Sequence, residues 1–288
     1  MDTIRNPIEW GRDQLKHAAF ALGTTARAIG GTREGQDIAP PAVRRIEVTD
    51  LKDVLAKGFS DFGAYRTDVI FLCLIYPVVG LVLARAAFGE NMLPLLFPLA
   101  SGFALVGPVA AVGLYEMSRR REQGDDITWA DAFGVVGSPS FGAIVILGLI
   151  LGAIFLAWMV AANAIYNLTL GPEPPASIEA FVRDVLTTAA GWTMIVAGVG
   201  VGFLFAVLVL AISVVSFPLL LDRGVGLGMA IRTSVRAVMM NPIPMAAWGL
   251  IVAGSLVLGS LPLFVGLIVV MPVLGHATWH LYRKVVTH

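Results

Sequence analysis

Cysteine, histidine and charge are all scarce in this sequence. The one cysteine, Cys73, excludes both an intrachain disulfide framework and a thiolate zinc site. Four histidines are too few for a haem-copper oxidase core. Charged residues make up 14% of the 288, and twenty Lys and Arg are matched by twenty Asp and Glu, so no surplus of one sign points to nucleic acid. A cleavable-leader pattern is missing too, because the first continuous apolar run begins near Val69; the first span would then do the targeting itself. What fills the chain is apolar, 57% hydrophobic residues with a mean hydropathy of +0.81, which is the composition of an integral membrane protein.

A helix crossing a hydrocarbon core of about 30 Å needs about 20 mostly apolar residues, so the intervals between charges measure the spans. Only Arg85 interrupts the stretch from Asp68 to Glu90, and Met92 to Tyr115 carries no charge. Gly137-Ser138-Pro139 precedes a third uncharged segment, Phe141 to Ala164. Val185 to Leu221 is too short for two crossings and a turn, and reads as one long or tilted helix near Trp192 to Phe217. Ala237 to Tyr282 holds two, divided at Gly259-Ser260-Leu261-Pro262. The expected fold is all-α, with six transmembrane helices near 69–88, 92–115, 141–164, 192–217, 245–261 and 263–282. Residues 1–47 form a cytoplasmic helix and linker, and 48–288 the membrane domain.

Six spans return the chain to its starting side, and the basic residues choose which side that is. Eighteen of the twenty fall together: the N-terminal segment through Arg66, Arg119 to Arg121, Arg223 with Arg232 and Arg236, and Arg283 with Lys284. Arg85 and Arg183 alone lie opposite, beside Glu90, Glu173, Glu179 and Asp184. Both termini are therefore expected in the cytoplasm.

Outside the spans, Asn6-Pro7-Ile8-Glu9 reads as a capped helix start and Gly30-Gly31 as its end, followed by a linker from Thr32 to Pro41. Asp50 opens an amphipathic helix with Leu51, Val54, Leu55, Phe59 and Phe62 on one face and Lys52, Asp53, Lys57 and Asp61 on the other. Leu227, Ile231, Val235 and Val238 line a second such helix, with Arg232 and Arg236 sharing another face and Asn241-Pro242 ending it. Trp129 to Val136 is a shorter version. The recurrence suggests three repeats of an interfacial helix followed by a transmembrane hairpin. Pro108-Val109 and Pro272-Val273 are followed, at matching offsets, by Tyr115, Glu116, Arg119 and Arg120, and by Trp279, His280, Arg283 and Lys284; the middle unit keeps only Pro218 and Asp222-Arg223.

Chemistry-bearing residues are few. No ionisable group sits at the middle of a span, where transporters and proton relays place them. Glu116 and Asp222 lie at span ends within reach of Arg119 to Arg121 and Arg223. His276 and His280 are one helical turn apart and able to face one ion, yet Ala277 stands where the zincin pattern needs Glu. These four are the weak candidates for a site; no catalytic, cofactor or metal residue is otherwise indicated. Gly148 with Gly152 and Gly198 with Gly202 are small-xxx-small pairs that let helices approach closely.

Five stretches also resemble a known family: Asn6-Pro7-Ile8-Glu9-Trp10, Arg66-Thr67-Asp68-Val69-Ile70-Phe71-Leu72-Cys73, Phe217-Pro218-Leu219-Leu220-Leu221-Asp222-Arg223, Asn241-Pro242-Ile243-Pro244-Met245 and Pro272 to His280. They are similar to bacterial integral membrane proteins grouped as domain of unknown function 2189, whose members are sometimes labelled cytochrome c oxidase subunit I-like. The resemblance implies a multi-span fold in a bacterial inner membrane and brings no catalytic residues. The reading that follows is a non-enzymatic accessory, assembly or scaffold subunit without a cofactor. Its partners would be the lipid bilayer, another membrane protein complex or a second copy. The alternative is a transporter or lipid-handling protein with an apolar cavity between proline-kinked helices.

Overall fold

The computed structural model describes residues 41–64, 93–125 and 127–287, with Val78, Leu81, Val82 and Arg85 as isolated positions between. The expected N-terminal helix and linker and, those four positions apart, the first span lie outside the described residues. The first helix, α1 (Asp50–Ala64), starts where the Asp50 carboxylate accepts from the Glu47 N–H at 2.8 Å, satisfying a donor no helical carbonyl reaches. Leu95 leads from a short 3-10 turn into α2 (Leu96–Ala110), which breaks at Ala111 before α3 (Val112–Gln123) resumes. Pro108 lies inside α2, where its ring removes the amide donor to the turn before it. Gly124, at φ 85°, closes α3 in the left-handed conformation that glycine adopts without strain.

A 3-10 stretch (Trp129–Gly137), held by a Thr128–Asp131 capping box, leads to α4 (Phe141–Thr169). Ser177 caps α5 (Ile178–Thr187) and Thr188 caps α6 (Ala189–Ser213). Gly191 is required there, because a Cβ would lie 2.3 Å from the Val185 carbonyl oxygen. After a short offset come α7 (Ser216–Arg223), α8 (Leu227–Met240) and α9 (Pro242–Ser260), and a turn leads to α10 (Leu267–Val285). Asn241 ends α8, and Pro242 occupies the first turn of α9, where its missing donor costs nothing.

Among the described residues four stretches are long and apolar enough to cross a membrane: Leu96–Gln123, Phe141–Thr169, Ala189–Arg223 and Pro242–Ser260. The described helices fall where spans two to six were expected, with shifted bounds. The span expected near 192–217 is α6 continued by α7 across the offset. The last, α10, combines an apolar first half with a C-terminal half buried in the protein.

Packing divides the molecule into two zones. At one end α1, α3, α7 and the C-terminal half of α10 form a dense body in which Tyr115, Phe217, Trp279 and Tyr282 are fully buried. Gly58 lets α1 lie directly on α10, since a Cβ would come 2.7 Å from that of Ala277 and 2.8 Å from the Val273 carbonyl. At the other end, α4, α6 and α9 expose Leu149, Phe203 and Leu250, the surface that a hydrocarbon solvent covers. The small-xxx-small pairs pack by halves: Gly148 meets Val109 and Gly202 meets Trp158, whereas Gly152 and Gly198 face open space.

The two ends of the described chain meet. Val43 pairs with Val286 in an antiparallel bridge, and Thr287 N–H donates to Ala42. Asn241 stitches the same strand to the α8–α9 junction, accepting from Ile46 N–H at 2.8 Å and donating to the Arg44 carbonyl at 3.1 Å.

Candidate functional site

Two features stand out, one polar and one apolar. The polar one centres on Asp61, which reverses part of the expected pattern of α1: Phe59, expected inward, is exposed, and Asp61, expected outward, is 5% exposed. The buried stripe is Leu51, Val54, Gly58 and Asp61. The close approach at Gly58 carries the carboxyl into a pocket of donors that compensates its loss of water. Its Oδ2 accepts from the Ser118 hydroxyl at 2.6 Å and faces His280 Nε2 at 2.9 Å, while Oδ1 pairs with the Arg121 guanidinium. Because Ser118 spends its proton on Asp61, His276 Nδ1, 2.8 Å away, is the donor to the Ser118 oxygen. Burial opposes ionisation of Asp61, but the bonds from His280 and Ser118 outweigh it and hold the carboxyl below the usual aspartate value.

His276 and His280 are therefore brought together, around a carboxylate. Among the described residues no group of three His, Cys, Asp or Glu is arranged to hold a metal ion. The lone pairs of Asp61 are already taken by a hydroxyl, an imidazole and a guanidinium. His280 Nδ1 lies 3.6 Å from Glu122, and His276 Nε2 is buried with no hydrogen-bond partner. Glu116 is held by Arg119 and Arg120 on its own helix, and Arg120 continues to Asp131. Gly134 leaves room for that guanidinium. Asp222 accepts from the Tyr282 hydroxyl at 2.5 Å and lies near Arg223 and Arg283. Of the four sequence candidates, His276 and His280 share the Asp61 cluster, and His280 is linked to Asp222 through Glu122 and Arg283, which pair at 3.0 Å, while Glu116 is held by Arg119 and Arg120. Asp61, Ser118 and Arg121 were missed as partners of the histidines.

The apolar feature is a cavity of about 430 Å³ between α2, α4, α5 and α6, lined among others by Phe97, Trp158, Ala162, Phe181, Ile195 and Gly198. It lies away from the Asp61 body, towards the C-terminal end of α4. Its few polar atoms are spent internally: Trp158 Nε1 donates to Ser101 Oγ at 2.9 Å, and the Tyr166 hydroxyl donates to the Glu173 carbonyl at 2.6 Å. The helix α5 covers one side, presenting Ile178, Phe181, Val182 and Val185 inward, yet none of its residues is buried.

Residues 96–222 match the model of a family described as predicted integral membrane protein (DUF2189). Comparison with curated proteins and with solved structures finds no match. The matched stretch holds the whole cavity lining except Pro94, whereas Asp61, His276 and His280 fall outside it. Family and helices together make the chain an integral membrane protein in contact with a lipid bilayer.

Proposed function

We propose that this is a non-enzymatic lipid-handling protein of a bacterial inner membrane, which lodges an acyl chain in the cavity between α2, α4, α5 and α6. The cavity carries the reading. Its size lies in the range of about 300–1,000 Å³ typical of ligand sites, and it offers no free hydrogen-bonding group, which suits a hydrocarbon ligand. The alternative expected an apolar cavity between proline-kinked helices; α2, which carries Pro108, forms one wall of this one, and α4, α5 and α6 form the others. Six membrane helices with both chain ends in the cytoplasm complete the proposal. The bridge between Val43 and Val286 supports an even number of passes, and the clustering of basic residues supports the orientation. The interfacial helices α1 and α8 favour the repeat, though the middle unit has only a 3-10 stretch.

The accessory-subunit reading rests on another observation. Arg232 and Arg236 are exposed one turn apart on α8 and make no ion pair among the described residues, leaving a basic face for an acidic partner.

The test is binding of cis-parinarate, a fluorescent fatty acid, to delipidated protein in detergent, beside mass spectrometry of co-purifying lipid. Gly198→Leu fills the cavity without a clash, since a Cβ there meets nothing within 4 Å. Saturable binding by the parent and at least a tenfold loss in the variant support the proposal. Equal binding by both removes the cavity from it.

A further inference from the structure

The outward stripe of α8 changes character along its length. Its middle carries Arg232 and Arg236, both exposed and one helical turn apart, with about 6 Å of axial rise between them. Met239 follows on the same face and is 75% exposed, and Ile243, in the first turn of α9, is 72% exposed. The opposite side of the helix is its seat. Ala230, Thr233, Ser234 and Ala237 are buried there, and the Ser234 hydroxyl oxygen accepts from the Val215 N–H at 3.2 Å. Asn241 ties the junction with α9 to Arg44 and Ile46. The exposed stripe is thus basic first and apolar afterwards.

These two guanidiniums differ from the cations on neighbouring helices. Arg119, Arg120 and Arg121 of α3, and Arg283 and Lys284 of α10, are each held by a carboxylate of the chain itself. No acidic residue occurs in α8, and Arg232 and Arg236 make no ion pair among the described residues. The bias of basic residues towards one side of a membrane asks only for their presence. It does not ask that they stand unpaired beside exposed Met239 and Ile243. An anionic phospholipid has both parts in that order: phosphate oxygens that fit the guanidinium fork, then acyl chains. The next segment, Pro242–Ser260, is long and apolar enough to cross the membrane, so the change from Arg to Met and Ile falls where headgroups give way to hydrocarbon.

We infer that this stripe binds an anionic phospholipid, with the phosphate between Arg232 and Arg236 and the upper part of its chains against Met239 and Ile243. The acid that neutralises α8 then comes from the bilayer and not from a second protein. This contact lies on the outer surface of the molecule and does not depend on the cavity.

A bimane fluorophore on Met239→Cys in a Cys73→Ser background, reconstituted in phosphatidylcholine liposomes, tests the contact. A second label at Leu149→Cys, on the exposed face of α4, is the reference. Phosphatidylglycerol and phosphatidylcholine, each brominated on the acyl chains, are compared as quenchers at equal mole fraction. At position 239 phosphatidylglycerol should be preferred by at least about fivefold, the factor that one basic residue contributes at an anionic surface, and position 149 should show no such preference. Replacing Arg232→Gln and Arg236→Gln together should abolish it, and since both side chains are exposed the fold does not rest on them. Equal quenching by the two lipids at position 239, or a preference that the double variant keeps, would overturn the inference. A preference of the same size at position 149 would make the attraction general to the surface and would overturn it too. So would an acidic protein that co-purifies with the parent and not with the double variant, when no lipid preference is found.

Discussion

Replacing Asp61 by Ala should detach α1 from its seat, and the structure sets the size of the loss. The carboxylate receives Ser118, His280 and Arg121 at once, with His276 4.0 Å away. Breaking a buried ion pair by removing one partner costs about 3–5 kcal/mol, because the other charge is stranded. Arg121 keeps a third of its side chain in solvent and can rehydrate, so the lower end, about 3 kcal/mol, applies. Unfolding by denaturant in detergent micelles, followed by the fluorescence of Trp279 packed on Tyr282, measures it. Arg121→Ala and the double variant complete a cycle whose coupling should reach about 1–3 kcal/mol. A loss for Asp61→Ala within about 0.5 kcal/mol of zero, the level of an ordinary surface change, or strictly additive single effects, would refute the argument.

Acid titration addresses the same residue. Since the folded carboxyl lies below its unfolded value of 3.8, its contribution is complete above that value and is lost as pH falls through the lower folded one. Stability followed from pH 6 to 2 should decline below about pH 4 in the parent, with a weaker decline in Asp61→Asn. Gly58→Ala should cost about 1–3 kcal/mol, as its methyl meets the Ala277 methyl and the Val273 carbonyl; hydrogen exchange in α1 should rise with it. Gly191→Ala should push α5 away from α6 and weaken cis-parinarate binding, while leaving exchange in α1 unchanged.

Much of the helical framework was legible because hydrocarbon imposes a simple rule: charges mark the ends of apolar stretches. Phe141 to Ala164 appears as the start of α4, and Asn241-Pro242 separates α8 from α9 as read. Side-chain direction was less legible. On a helical wheel Asp61 belongs with the charges, and only the contact of Gly58 with α10, remote in sequence, turns it inward. The stripe 51, 54, 58, 61 does have helical spacing and, beside the unexplained pair His276 and His280, was the signal available. The cavity left no mark in the sequence, because Phe97, Trp158 and Phe181 read alike whether they fill a core or line a void.

The central claim is an apolar site for an acyl chain between α2, α4, α5 and α6 of this membrane protein. A fatty acid bearing a photoreactive diazirine near its terminal methyl, irradiated with the reconstituted protein and followed by peptide mapping, interrogates it. The account predicts adducts concentrated around Phe97, Trp158, Phe181 and Gly198, suppressed by excess palmitate and absent from Gly198→Leu. Adducts spread evenly over outward residues such as Leu149, Phe203 and Leu250, and insensitive to palmitate, would contradict it.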